Sequence, residues 1–331
     1  MEAVLLRYVS LGALVAQDTA LVLLMRYTRQ QTGPMYLSTT AVCCMEAMKL
    51  SVCSLMLLRG EAKGSFRVLM SVFKEEILAK PREVAKLAVP AVLYLIQNNL
   101  LYFALSHLHA TPYKVTYNLK ILTSAFFSVT LSGQRLGRRK WISLVVLFCG
   151  VSIVQMDKPG GIQAQRYDNG LGYQTMGFIA VCAAAVTSGF SGVYQQRILQ
   201  SSKTSMWIRN TQMGITSVVL GACGTLIKDR QAIRRAGFFQ GYSAVVWLVI
   251  SLQAFGGLNV AFILKYADNI LKGFAAAFST VASCILEMIF FQFRPTFLFL
   301  VGSTLINIAA YAYNLSCPTR AEEVSPRTYA V

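Results

Sequence analysis

Charged residues are scarce in this sequence, and their scarcity excludes most soluble folds. Only 14% of the 331 residues are Asp, Glu, Lys or Arg, whereas 55% are hydrophobic. A soluble globular domain carries about 25% charged residues. The apolar residues form runs of about 20, the length at which a helix crosses the hydrocarbon core of a membrane. The composition therefore predicts a membrane protein without a soluble domain.

Motifs of catalysis and metal binding are also missing. The two histidines, His107 and His109, lie in one short segment between apolar runs. There is no HExxH motif and no glycine-rich phosphate loop before a Lys-Ser/Thr pair. The eight cysteines do not show the paired spacing of a zinc site or a disulfide framework. We therefore expect no enzymatic activity, no metal and no cofactor.

The chain is strongly basic, with a formal net charge of +17. In a soluble protein this charge would suggest nucleic-acid binding, because Lys and Arg neutralise phosphates. Here most basic residues lie in short loops between apolar runs, with seven in 59–86 and four in 134–140. The positive-inside rule makes both loops cytosolic, although the basic loop 228–235 opposes this orientation. We predict cytosolic termini and no nucleic-acid partner.

About ten apolar segments divide the chain, each long enough to span a membrane. They are 5–25, 36–58, 84–106, 111–131, 140–156, 171–194, 206–227, 241–264, 269–292 and 295–315. Tight turns at 106–112 and 265–269 occupy the same place in each half of the series. An odd number of spans per half reverses the second half in the membrane, which gives inverted repeats.

This pattern predicts an all-α, polytopic membrane protein of about ten transmembrane helices in two inverted five-helix repeats. We expect a single transmembrane domain over 1–331. Its first half is 1–156, its second half is 171–316, and 317–331 is a cytosolic tail.

A polar and aromatic stripe opens the fourth segment. On a helix of 3.6 residues per turn, one face carries Tyr113, Thr116, Tyr117 and Lys120. The tyrosines can stack on a base or bind a ribose, and a lysine ammonium suits an anionic phosphate. The alternative is an interfacial aromatic belt with a snorkelling lysine. Lys120 lies about two turns into the segment, which favours binding.

Three basic residues, Lys120, Arg209 and Lys272, lie inside or at the ends of apolar segments. An ionisable side chain is costly there and usually functional. Lys272 follows a predicted helix amino terminus, where free N–H groups and the helix dipole attract anions. Lys120 and Lys272 occupy corresponding spans of the two halves, so facing spans would give one site two cations. Glu46 and Lys49 are expected to form an ion pair that holds helices together.

Uncharged polar clusters mark the third, sixth and seventh segments. They are Gln97-Asn98-Asn99, Ser188-Gly189-Phe190-Ser191-Gly192 and Arg209-Asn210-Thr211-Gln212. Amides inside a membrane need hydrogen-bond partners, which a substrate or a neighbouring helix can supply, and Ser and Gly also permit close helix packing. Both interpretations stay open, with a binding role favoured for Asn98, Gly189 and Asn210.

Sequence blocks over nearly the whole chain resemble the nucleotide-sugar transporters of the drug/metabolite transporter superfamily. The blocks are RYVSLG (7–12), MRY (25–27), YLSTTAV (36–42), QNNLLYFALSHL (97–108), YKVTYNLKILTSAFFSV (113–129), SGFSGVY (188–194), WIRNTQ (207–212), GFFQGY (237–242) and KYADNILKGFA (265–275). Several blocks in the same order are more specific than any single motif. The similarity is to the carriers of UDP-N-acetylglucosamine, UDP-galactose and CMP-sialic acid.

The resemblance implies an antiporter in the Golgi or ER membrane that exchanges a cytosolic nucleotide sugar for a luminal nucleoside monophosphate. It also implies these substrate-binding residues: Gln97, Asn98, Tyr113, Thr116, Tyr117, Lys120, Ser188, Gly189, Gly192, Asn210 and Lys272. A second copy of the chain and glycosyltransferases are protein partners compatible with this assignment.

The substrate is less closely specified by the resemblance. The glycine at position 214 resembles the pattern of the UDP-sugar carriers, whereas CMP-sialic acid carriers have a tyrosine at this position. We expect UDP-N-acetylglucosamine first and UDP-galactose second, exchanged for UMP. The family sequence VYFEK reads VYQQR at 193–197, and YQVTYQLK reads YKVTYNLK with Lys114 and Asn118. These departures leave open a CMP-sialic acid or multi-substrate carrier, or a membrane scaffold that does not transport.

Overall fold

A computed structural model of the chain describes residues 2–30, 36–105, 113, 116–156, 171–201, 204–291 and 296–315. Helices dominate these residues, and no β-strand occurs among them. The helices are α1 (Glu2–Gln30), α2 (Ser38–Arg59), α3 (Phe66–Phe73), α4 (Pro81–Leu105), α5 (Lys120–Thr130), α6 (Arg138–Met156), α7 (Leu171–Ser201), α8 (Met206–Lys228), α9 (Arg230–Ala236), α10 (Ala244–Tyr266), α11 (Asn269–Phe291) and α12 (Phe297–Leu315). The prediction of an all-α fold is confirmed over the described ranges.

The long helices coincide with the predicted apolar segments. The predicted turn at 265–269 is confirmed, because α10 ends at Tyr266 and α11 begins at Asn269. The matching turn at 106–112 and the junction near Arg294 lie outside the described residues. The apolar runs did not predict the short helices α3 and α9, since both lie in loops rich in basic residues.

Five described helices are long and apolar enough to cross a membrane. Their apolar stretches are Tyr8–Met25, Ser38–Arg59, Pro81–Leu101, Thr175–Ser201 and Ala244–Tyr266. A shorter apolar stretch, Phe297–Tyr313, lies in α12. Many large apolar side chains also face outward, such as Ile179 and Phe255. Apolar surface on this scale suits a hydrocarbon solvent rather than water, so the chain is a multi-pass membrane protein.

Two compact units divide the chain, and each combines parts of both sequence halves. Unit 1 consists of Met1–Val92 and Ile198–Asp268, and unit 2 consists of Leu93–Arg197 and Asn269–Val331. The compact units therefore differ from the sequential halves 1–156 and 171–316. The inverted repeat stays a prediction.

Unit 1 is built on α2, which packs against α8 and α10, while α1 packs along α10. The amphipathic helix α3 covers one end of α2, where Leu57, Leu69 and Ile208 form a small buried cluster. A π-helical turn, Lys74–Leu78, follows α3 directly. The loop between α2 and α4 is thus folded onto the membrane helices.

Unit 2 is built on the closely packed pair α6 and α12, with α5 and α11 beside them. The pair can approach closely because each helix has a glycine at the contact. A Cβ atom added to Gly302 would lie 2.8 Å from the carbonyl oxygen of Gly150. Buried Leu144, Leu147 and Ile306 complete the apolar core of this unit.

Candidate functional site

Unit 2 contains a cavity of about 160 Å³ that includes three of the predicted site residues. Its lining residues are Asn118, Lys120, Ile121, Ser124, Val151, Ser188, Asn269, Ile270, Lys272, Gly273, Ala276, Ala277 and Thr280. A water molecule occupies about 30 Å³ of liquid, so the cavity has room for a phosphate-sized group and not for a whole nucleotide sugar. Lys120, Lys272 and Ser188 line this one cavity.

Lys120 is the first residue of α5, and the chain is not a continuous helix before it. Residues 118 and 119 form a turn, in which the N–H of Ile121 donates to the carbonyl of Asn118 at 3.0 Å. The prediction of a regular helix through this stripe is therefore wrong at residues 118 and 119. The break has a chemical consequence, because Lys120 begins α5 at the cavity wall and the dipole of a helix amino terminus favours an anion.

Two tyrosines extend the site along the chain before α5. The rings of Tyr113 and Tyr117 are stacked, with centroids 6.4 Å apart and planes inclined by 16°. The ammonium of Lys120 lies 4.4 Å from the Tyr117 ring centroid, within the range of a cation–π attraction. Thr116, between the tyrosines, is buried. The residues of the predicted stripe thus remain neighbours despite the break in the helix.

Gln97 fixes the hydroxyl end of Tyr117. Its side-chain amide donates to the Tyr117 hydroxyl at 2.8 Å, and that hydroxyl lies 3.5 Å from the Ser188 hydroxyl. Gln97 is only 6% exposed, and its carbonyl oxygen has no hydrogen-bond partner within the described ranges. A buried acceptor without a partner costs about 1–3 kcal/mol. This oxygen is therefore available to a donor from a ligand or a water molecule.

Lys272 lies in the first turn of α11, whose amino terminus is capped from α7. The backbone N–H of Asn269 donates to the side-chain oxygen of Gln196 at 2.9 Å, and Gln196 is completely buried. Gln196 stands where the resembling family has glutamate. The neutral amide supplies the acceptor that the helix terminus needs without adding a negative charge.

Gly189 and Gly192, both predicted to bind substrate, lie at close contacts between helices. A Cβ atom at Gly189 would overlap the Thr123 side chain of α5. A Cβ atom at Gly192 would lie 2.7 Å from the side-chain oxygen of Asn269. The geometry gives both glycines a packing role, and direct contact with substrate stays a prediction for them.

Asn98 and Asn210 were also predicted to bind substrate. The side chain of Asn98 is outside the described residues, as is Lys114. Asn210 belongs to unit 1, where it is buried in the first turns of α8. Its side-chain amide donates to the carbonyl of Met206 at 3.0 Å. Substrate binding by these residues stays a prediction.

Sequence reasoning found only Lys272 among the residues of α11 that line the cavity. The others are Asn269, Ile270, Gly273, Ala276, Ala277 and Thr280. Asn269 could have been found from its position three residues before Lys272 on the same helical face. Asn118, which donates to the Ser152 hydroxyl at 3.4 Å, was noted only as a departure from the family pattern.

Arg209, the third basic residue within an apolar segment, has partners inside unit 1. Its guanidinium lies 3.0 Å from the carboxylate of Glu83 and donates to the side-chain oxygen of Gln212 at 3.1 Å. The amide of Gln212 in turn donates to the carbonyl of Glu76 at 2.6 Å. These bonds join α8 to α4 and to the π-helical turn, so the visible role of Arg209 is structural.

The predicted ion pair on α2 is present. The ammonium of Lys49 lies 2.8 Å from the carboxylate of Glu46, one helical turn away. The Lys49 stem packs against α10 at Gly257, where an added Cβ atom would lie 3.1 Å from the Lys49 Cδ. The lysine therefore contributes to the contact between α2 and α10.

Comparison with known proteins agrees with the resemblance in sequence. The chain is 47% identical to the human (Homo sapiens) UDP-N-acetylglucosamine transporter over 311 residues, covering 93% of this chain and 95% of that protein. It is 43% identical to the bovine (Bos taurus) UDP-galactose translocator over 310 residues, covering 94% of this chain and 78% of that protein. A solved crystal structure superposes with a TM-score of 0.67 at 15% identity, covering 95% of this chain and 98% of that chain, which shows a shared fold alone. The profile of the nucleotide-sugar transporter family matches residues 2–314, and the chain therefore belongs to that family.

Proposed function

We propose that this protein carries a UDP-sugar across a membrane, with UDP-N-acetylglucosamine as the first candidate and UDP-galactose as the second. The relatives named for these two substrates support the assignment. The structural observation that supports this assignment is that Lys120 and Lys272 line the same cavity. Each of them lies in the first turn of a helix. Two cations and two helix termini provide a site for a diphosphate.

The remaining residues of the site suit the other parts of a nucleotide sugar. The stacked Tyr113 and Tyr117 offer an aromatic surface to a base or ribose. The Gln97 carbonyl and the Ser188 hydroxyl offer hydrogen bonds to ribose or base edges. The family resemblance assigns Asn210 to the same task. In this proposal the phosphates supply most of the binding energy and the polar groups supply selectivity.

The proposed transport is an exchange of the cytosolic UDP-sugar for luminal UMP in the Golgi or ER membrane, with both termini cytosolic. The fold proposed for it is a bundle of about ten spans in two inverted five-helix repeats. A bound nucleotide brings negative charge to the two lysines during reorientation, whereas an empty site would carry their positive charge across without an anionic substrate. Exchange is therefore favoured over net transport.

Uptake into proteoliposomes tests the proposal. Vesicles preloaded with UMP should accumulate radiolabelled UDP-N-acetylglucosamine or UDP-galactose much faster than empty vesicles, and equal uptake would contradict exchange. Competition by UMP, CMP and GMP identifies the base. Dominant inhibition by CMP would favour a CMP-sialic acid carrier, and inhibition by several nucleotides would favour a multi-substrate carrier.

The buried cap formed by Gln196 argues against the alternative of a scaffold without a binding site. The departure from the family pattern at this position keeps an acceptor for α11 and leaves both lysines on the cavity wall. Thermal stabilisation by nucleotides separates the two cases. A melting temperature that does not respond to millimolar UMP, CMP or GMP would support the scaffold.

A further inference from the structure

Asn269 has a buried side-chain oxygen that has no role in the proposed binding of phosphate. It is the first residue of α11 and lines the cavity together with Lys120, Lys272 and Ser188. The residue is only 4% exposed. The side-chain oxygen is fully buried and has no hydrogen-bond partner in the part of the chain that the structure describes.

Two contacts hold this amide in place. The backbone N–H of Asn269 is bonded to Gln196, which fixes the start of α11. The side chain lies over Gly192, where a Cβ atom would come within 2.8 Å of its nitrogen and 2.7 Å of its oxygen. Because Gly192 has no side chain, the Asn269 amide packs directly against α7, and the same residue is part of the cavity lining.

We propose that Asn269 is a specificity-determining residue whose side-chain oxygen accepts a hydrogen bond from the sugar of the bound nucleotide sugar. This inference rests on the proposed function. A carbonyl oxygen repels phosphate oxygens, so its partner is a hydroxyl or amide N–H. Asn269 lies one helical turn from Lys272, and the donor is therefore close to the diphosphate.

The chemistry of a UDP-sugar narrows the choice of donor. The sugar carbon that bears the phosphate is bonded directly to C2, so the C2 substituent is the sugar donor nearest the diphosphate. That substituent is a hydroxyl in UDP-galactose and an acetamido N–H in UDP-N-acetylglucosamine. Both donate a hydrogen bond, so Asn269 accepts either substrate. A sugar without a donor at C2 leaves the buried oxygen unpaired and is rejected.

The test compares UDP-galactose with its 2-deoxy-2-fluoro analogue, which lacks the donor. Uptake is measured in UMP-loaded proteoliposomes for the wild type, Asn269→Leu and Asn307→Leu. Leucine has nearly the shape of asparagine without its polar atoms. Asn307 is an exposed amide on α12 that is bonded to the Ser303 carbonyl of its own helix, and it makes a matched control.

Wild type and Asn307→Leu should transport the analogue about tenfold less efficiently than UDP-galactose, as kcat/KM, because one hydrogen bond is lost. Asn269→Leu should transport UDP-galactose about tenfold less efficiently than wild type and discriminate little against the analogue. Its inhibition by UMP, which has no sugar, should be unchanged.

Three outcomes would overturn the inference. If Asn269→Leu still discriminated between UDP-galactose and its analogue as strongly as wild type, another residue would recognise the C2 substituent. If Asn269→Leu lost inhibition by UMP to the same extent as uptake of UDP-galactose, Asn269 would act on the structure of the site. Either result leaves transport itself intact. A wild-type protein that neither takes up a UDP-sugar nor responds to UMP would overturn the proposed function together with the inference.

Discussion

The ammonium of Lys120 lies 4.4 Å from the centre of the Tyr117 ring, and the hydroxyl of that ring accepts a hydrogen bond from Gln97. The tyrosine therefore contacts a cation with its face and a buried amide with its edge. A cation–π contact contributes about 0.5–2 kcal/mol. We infer that Tyr117 positions Lys120 at the amino terminus of α5 before a substrate arrives.

Replacing either lysine of the cavity with methionine should nearly abolish transport. Lys120→Met and Lys272→Met keep an apolar stem but leave a substrate phosphate without its cation, and removal of one partner from a buried pair costs about 3–5 kcal/mol. We therefore expect the affinity to fall by more than about a hundredfold. Measurements of UMP binding and of uptake check this expectation. Lys265→Met, at the end of α10, is the control and should remain close to wild type. Equal activity of all three variants would refute the two-lysine site.

Two substitutions of Tyr117 separate the roles of its hydroxyl and its ring. Tyr117→Phe leaves the ring for Lys120 but removes the acceptor of the Gln97 amide, so stability should fall by about 1–3 kcal/mol with modest loss of UMP affinity. Tyr117→Leu also removes the aromatic surface and should weaken UMP binding further. Melting temperature and isothermal titration measure the two effects. Tyr311→Phe, on the exposed face of α12, is the control. Indistinguishable affinities for Phe and Leu at position 117 would exclude a role for the ring.

Gln196 should tolerate glutamate better than leucine. Gln196→Leu removes the acceptor for the N–H of Asn269, and loss of a helix cap costs about 0.5–2 kcal/mol. Gln196→Glu keeps an acceptor and adds a charge of the sign that a helix amino terminus favours. The melting temperature should therefore fall clearly for leucine and little for glutamate. A larger fall for glutamate would show that burial of its charge outweighs the cap.

The bonds of Arg209 should contribute to stability rather than to substrate binding. Arg209→Met removes a guanidinium that contacts Glu83 and Gln212, and hydrogen bonds to charged groups are worth about 1.5–3 kcal/mol. The expected result is a lower melting temperature in detergent with UMP affinity nearly unchanged. Lys86→Met, which breaks an exposed ion pair with the same Glu83, should cost about 0–1 kcal/mol. A selective loss of UMP affinity in Arg209→Met would contradict the structural role.

The sequence alone determined the long apolar helices but not the short helices α3 and α9, because each apolar run has about the length of a membrane span and ends at charged or turn residues. The start of α11 at Asn269 was predicted in this way, and α10 ends at Tyr266, two residues beyond the predicted end at 264. The Glu46–Lys49 pair was also predictable, since residues three apart on a helix are neighbours. Lys120 and Lys272 were predicted from their positions within apolar segments, and the family resemblance assigned both, together with Ser188, to the substrate site.

Only the tertiary structure decided how those residues act. The turn before Lys120, the cap that Gln196 provides for α11 and the unpaired oxygen of Asn269 all depend on contacts between segments far apart in the chain. The same holds for Arg209, which the sequence marked as functional and the structure pairs with Glu83. Apolar periodicity reports which face of a helix avoids water. It does not report which polar atoms find a partner, because that depends on the arrangement of neighbouring helices.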